Sequence, residues 1–191
     1  MATLSEIITP TNILTATSTN TVTNKTIAFG SNTLTDVVST NTVQNITGTK
    51  TFSGTSGTLA MVLNDAAEVA TVSAIAATGT IPYDITTQSV IFYTSNASSN
   101  WTVNFRASSG TSLNAALAIG QSVTVAFLVQ QGSTAFFNNA IQVDGSSVTP
   151  RWQGGVAPSS GSANSIDVYS YTIIKTANAT FTVLASQTRF A

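Results

Sequence analysis

The segment WTVNFRA sets Trp101, Val103, Phe105 and Ala107 on one side of an extended chain and Thr102, Asn104 and Arg106 on the other. That spacing of two is the signature of a strand with one buried face, and a helix cannot gather such residues on one side. A second run, QSVTVAFLVQ, puts Val123, Val125, Phe127 and Val129 on one side but Thr124, Ala126 and Leu128 opposite. Apolar residues on both sides suit a central strand of a sandwich, covered on both faces.

Two further runs, DVYSYTIIK (Val168 to Lys175) and TFTVLASQ (Thr180 to Ser186), are separated by TANA, short enough for a hairpin loop. EVATVSAIA, SVIFYT, AFFNNAIQVDG and SVTPRWQGG are weaker strand candidates, and the Asp144–Gly145 pair is a turn signal. One short helical turn is expected in TSLNAALAIGQ, with Ser112 at its start, Leu113 and Leu117 four apart, and Gly120 at its end. Seven or eight short strands punctuated by Gly, Ser and Asn predict an all-β head over residues 61–191, a jelly-roll-like β-sandwich in preference to a barrel. Periodicity leaves the strand order open.

The chemistry open to this chain is narrow. It has no cysteine and no histidine, so disulfides, thiolate nucleophiles, imidazole bases and most zinc sites are excluded. With 7% charged residues and a net charge of -1, it has almost no cations with which to displace counter-ions from DNA or RNA. No stretch approaches the roughly 20 apolar residues of a membrane span, and MATLSEIITPTNIL lacks the basic and apolar regions of an export signal. A soluble protein without membrane insertion is expected. Low charge with a mean hydropathy of +0.26 is unusual for a free monomer and points to a chain that lives in an assembly.

The first sixty residues differ in texture. Thr, Ser and Asn make up about half of them, and TNTV at Thr19–Val22 returns at Thr40–Val43, while TNKTI at Thr23–Ile27 is echoed by TGTKTF at Thr47–Phe52. A disordered tether would carry more charge and fewer β-branched residues than this stretch, whose only charges are Glu6, Lys25, Asp36 and Lys50. Its apolar residues Ile27, Phe29, Leu34, Val37, Val38, Val43, Ile46 and Phe52 are too few to form a core within one chain. Residues 19–60 are therefore expected to form a shaft in which identical chains intertwine around a shared apolar axis, the alternative being a plain linker. Fully extended, the first sixty residues reach at most roughly 200 Å. Residues 1–18 carry Leu4, Ile7, Ile8, Ile13 and Leu14 around Pro10, an extended segment suited to attachment by burying apolar anchors in another protein, the alternative being a frayed terminus.

TNKTIAFGSNTL followed by QNITGTKTFSG resembles the shaft segments of bacteriophage tail-fibre and other virion fibre proteins. YTSNASSNWTVNFRASSGTSLNAALAIGQSVTVAFLVQQGSTAFF and RWQGGVAPSSGSANSIDVYSYTIIKTANATFTVLASQTRFA resemble virion structural proteins of tailed phages that infect marine cyanobacteria. The resemblance implies a homotrimeric, non-enzymatic component of the virion, assembled in a bacterial cytoplasm. It implies an N-terminal segment held by another virion protein of capsid, neck or tail, then a shaft and a β-sandwich head. Capsid decoration and a short tail fibre both fit that description, with the receptor-binding tip of a fibre as the alternative.

A pair of carboxylates hydrolyses glycosides without His or Cys, and the candidates are Asp65, Glu68, Asp84, Asp144 and Asp167; turn-forming and capping roles are the commoner use of such residues. Arg151 and Trp152 in TPRWQGG are candidate glycan contacts, an aromatic face stacking on a sugar ring beside a guanidinium that hydrogen-bonds its hydroxyls; the alternative is a core tryptophan beside a strand. The glycines of QGGVAPSSGSANS lack Walker spacing and a following Lys, so this is read as a surface loop.

Overall fold

The computed structural model describes residues 49–191 except 56, 58 and 65. The chain divides into two units, Met1–Met61 and Val62–Ala191. The attachment residues Leu4, Ile7, Ile8, Ile13 and Leu14 lie outside the described residues, as do the shaft residues Ile27, Phe29, Leu34, Val37, Val43 and Ile46. Phe52, the last expected shaft residue, is described and exposed.

The second unit is all-β, apart from one short helix and a 3-10 turn. Its strands are β1 (Ala70–Ala76), β2 (Gly79–Asp84), β3 (Val90–Ser95), β4 (Trp101–Arg106), β5 (Ser122–Gln130), β6 (Asn138–Val143), β7 (Ser146–Ser147), β8 (Arg151–Trp152), β9 (Ile166–Ala177) and β10 (Thr180–Phe190). They form a six-stranded sheet in the order β1-β3-β5-β9-β10-β8 and a four-stranded sheet in the order β2-β4-β6-β7.

The order is not that of a jelly roll, whose neighbouring strands run antiparallel. The pairs β1–β3, β3–β5, β2–β4 and β4–β6 are all parallel. The chain crosses from one sheet to the other at every corner and returns one strand further on, so Ala70 stands beside Val90 and Gly79 beside Trp101. Three such turns make a flattened coil. Between β1 and β2 only Ala77 and Thr78 intervene, and across them the chain passes from one sheet to the other. The corners also stack on one another. The amide of Ser98 donates to the Ala77 carbonyl (3.1 Å), that of Ala97 donates to Gln130 (2.9 Å), and the Thr78 and Ser99 hydroxyls meet at 2.7 Å. Ala77 and Ala97 are buried there, where larger side chains would force the turns apart.

The coil ends in antiparallel elements. Asp144 and Gly145, both at positive φ, turn β6 back into β7, and the long β9–β10 hairpin extends the six-stranded sheet beyond β5, with β8 at its edge, parallel to β10. Positive φ at consecutive turn residues matches the twist of a two-residue hairpin. At the other end, β2 is the edge of its sheet and carries Pro82, a residue without an N–H that an edge strand accommodates.

The two sheets bury an aromatic core between them. Trp101 meets Tyr169 (ring centroids 5.6 Å) and Phe127 (6.1 Å) edge to face, and Phe105 meets Tyr171 at 4.9 Å. The polar ends of these rings are mostly engaged. The Tyr83 hydroxyl donates to the carbonyls of Ser89 (2.7 Å) and Ala126 (3.0 Å), the Tyr171 hydroxyl donates to Asn138 Oδ1 (3.2 Å), and the Tyr169 oxygen accepts from the Asn138 amide (3.3 Å).

Candidate functional site

The titratable side chains are distributed through structural contacts. Asp144 Oδ1 and Oδ2 accept from the backbone amides of Leu113 (2.6 Å) and Asn114 (2.9 Å), the first residues of helix α1 (Leu113–Ala116), whose N-cap Ser112 accepts from the Ala115 amide at 3.0 Å. A carboxylate facing free amides at a helix start is favourable in both hydrogen bonding and charge. At the far end of α1, Lys175 Nζ donates to the carbonyls of Asn114 and Leu117, satisfying acceptors that so short a helix leaves open.

Asp167 is buried, its Oδ2 accepting from Gln131 Nε2 (3.0 Å) and the Ser162 amide (2.9 Å), so it joins two loops. Gln131 also bonds both backbone groups of Phe136. Gly161 runs so close to Phe136 that a Cβ would stand 2.0 Å from its carbonyl oxygen, a contact only glycine permits. Asp84 pairs with Arg106 on the outside of the four-stranded sheet, and Glu68 Oε2 accepts from the Ser89 hydroxyl at 2.6 Å. The Asp84 carboxylate raises the Arg106 guanidinium above its ordinary value, through its hydrogen bond and, against partial desolvation, through its charge. Asp65 lies outside the described residues. Among the described residues no group of three carboxylates converges as a metal site, and no helix is long and apolar enough to cross a membrane.

Arg151 and Trp152 form β8, paired with Leu184 and Ala185 of β10. Alternation sends them opposite ways. Trp152 follows the parity of Ala185 and packs, half-buried, against the core; Arg151 follows Leu184 and is exposed, with no ion pair or hydrogen bond to its guanidinium among the described residues. A cleft of about 750 Å³ opens beside them, bounded by Asn139 and Ile141 of β6, the 147–150 loop, and Ala157 and Pro158. Its walls hold amides, hydroxyls and one guanidinium, with no carboxylate. A shallower hollow of about 380 Å³ lies on the other side of β8, over Ser170, Thr172 and Ser186. The adjacency of Arg151 and Trp152 was visible in the sequence, but Asn139 and Thr149, which reach the cleft through the fold, carried no signal. Comparison of the chain with protein-family models, curated proteins and solved structures finds no match in any of the three.

Proposed function

We propose that this chain is a non-enzymatic structural protein of a tailed-phage particle, a short homotrimeric fibre or spike, or a decoration of the capsid. On this reading residues 1–18 attach it to another virion protein and residues 19–60 intertwine as a shaft. The observation that carries the reading is the parallel coil. Strands that add one beyond another along an axis are the way a fibre-like body grows, and the β9–β10 hairpin interrupts that growth after three turns. The near absence of charge and the resemblance of the Thr-rich and C-terminal segments to virion proteins support it further. Light scattering on the full chain is expected to give three times the 19.6 kDa of one chain, with a version beginning at Val62 less stable to heat. A full-length monomer would remove the fibre reading.

A second reading, a head that binds host glycans, draws on the cleft beside β8. An exposed guanidinium at a hollow without carboxylates, with the half-buried Trp152 in its wall, suits an acidic saccharide. Replacing the exposed Arg151 by Gln is expected to weaken binding to acidic polysaccharides by roughly tenfold. Equal binding by both forms, or none by the native protein in titration calorimetry, would remove this reading.

A further inference from the structure

The two outer faces of the sandwich differ in kind. On the four-stranded sheet the rows read Thr80–Thr102–Ala140, Pro82–Asn104–Gln142 and Asp84–Arg106, a polar surface with its own ion pair. Across the six-stranded sheet the corresponding row is Val72–Phe92–Leu128–Val168, ending in Thr188. The next row, Ala70–Val90–Ala126–Ser170, is again without charge, and Leu184 and Phe190 are exposed towards the β10 side. Not one of the outward positions on β1, β3, β5, β9 and β10 is Asp, Glu, Lys or Arg; charge appears only at the margins, with Glu68 just before β1, bonded to Ser89, and Arg151 at the far edge on β8.

We propose that this outer face is buried against other copies of this chain, an inference that rests on the homo-oligomeric reading. A sheet that faces water on one side alternates apolar-in with polar-out, as the four-stranded sheet does. The six-stranded sheet breaks that rule along a continuous row, which marks an interaction surface. Area decides how much of it a partner must cover. Five strands about 4.8 Å apart and about six residues long project roughly 500 Å², which pleating and side chains bring towards the ~800 Å² per partner of a stable interface only if the whole face is used. Another copy of the same face matches it in extent and in lack of charge. A charged foreign surface would lose hydration against it with no counter-charge in return. Obligate interfaces between identical chains are the apolar kind, and Arg151 would sit at the rim, where charge stays wet.

The absence of cysteine from the chain supplies the test. Ser170→Cys places a lone thiol on the proposed interface and Thr80→Cys places one on the polar face, both at exposed positions of the single chain. In full-length protein a maleimide reagent is expected to label Cys at 170 at least about tenfold more slowly than Cys at 80, the difference vanishing in denaturant. Thr124→Cys, on the same face, should behave as position 170 does. A trimer in which all three thiols react alike overturns the face and leaves the trimeric reading standing. A dimer with protected thiols at 170 and 124 upholds the face and overturns the trimer. A monomer in light scattering, with equal labelling, overturns both.

Discussion

Trp101→Ala is expected to destabilise the folded unit by about 3–5 kcal/mol, read as a fall in the denaturant midpoint with little change in slope. The indole is 1% exposed and contacts Phe127 and Tyr169 edge to face across the gap between the sheets. Its Nε1 has no hydrogen-bond partner, so truncation forfeits packing and aromatic contact and strands no polar group that it had satisfied. The site has little freedom to collapse. Trp101 is paired with Gly79 on one side and Asn138 on the other, and both neighbouring strands are fixed by the coil. Set against the 5–15 kcal/mol that holds a typical domain together, the loss is a large share of the total. Trp101→Phe keeps an aromatic edge in the gap and should cost clearly less. An alanine variant with an unchanged midpoint would mean that the two sheets do not depend on this contact.

The strands of this protein were legible because alternation depends only on one face being buried. β4, β5, β9 and β10 fall where WTVNFRA, QSVTVAFLVQ, DVYSYTIIK and TFTVLASQ place them, the short helix starts after Ser112, and Asp144–Gly145 turns as its residues require. β2 was missed for a physical reason: GTIPYD contains Pro82, which argues against a strand unless the strand is an edge, and only the sheet order reveals the edge. The parallel order was hidden for a related reason. Val103 and Phe105 alternate with Thr102 and Asn104 whether the neighbouring strand runs up or down, so the pattern carries no information on direction. The information lies in corners such as Ala77–Thr78, whose small residues permit a stacked crossing.

The same limit applies to the sites. Asp144 could be read as a turn residue, but its service to the amides of Leu113 and Asn114 depends on a contact thirty residues away in the chain. Arg151 and Trp152 were singled out by their chemistry; that alternation sends one to the outside and the other to the core follows only from their pairing with Leu184 and Ala185. The apolar outer face was half legible. Ala126 and Leu128 opposite Val125 and Phe127 suggested a strand covered on both sides, and among the described residues no element covers the outer side, which turns a packing signal into an association signal.

Raising the pH above 10 is expected to unfold the protein steeply, with tyrosinate absorbance appearing together with the loss of strand structure. All four tyrosines stand in the described fold, and burial pushes each of them up from the ordinary value of 10.0. For Tyr83 the hydrogen bond to Ala126 offsets burial only in part; for Tyr169 the Asn138 amide does the same while the Asp167 charge adds to the rise. Tyr171, the deepest, is raised further by Tyr169 and Tyr83. The sign follows from proton counts. Above pH 10 the unfolded chain releases phenolic protons that the folded chain retains, so stability that is complete below pH 10 falls as pH rises towards the folded values. Each phenol held neutral costs about 1.4 kcal/mol per pH unit. Tyr83, Tyr169 and Tyr171 act in the same direction, so their contributions to the loss reinforce one another. Tyr171→Phe removes one of the three and should move the midpoint of alkaline unfolding upwards, partly offset by the loss of its bond to Asn138. A gradual titration near pH 10 with strand structure intact would show that these phenols are open to water, and that the sheets do not close over them.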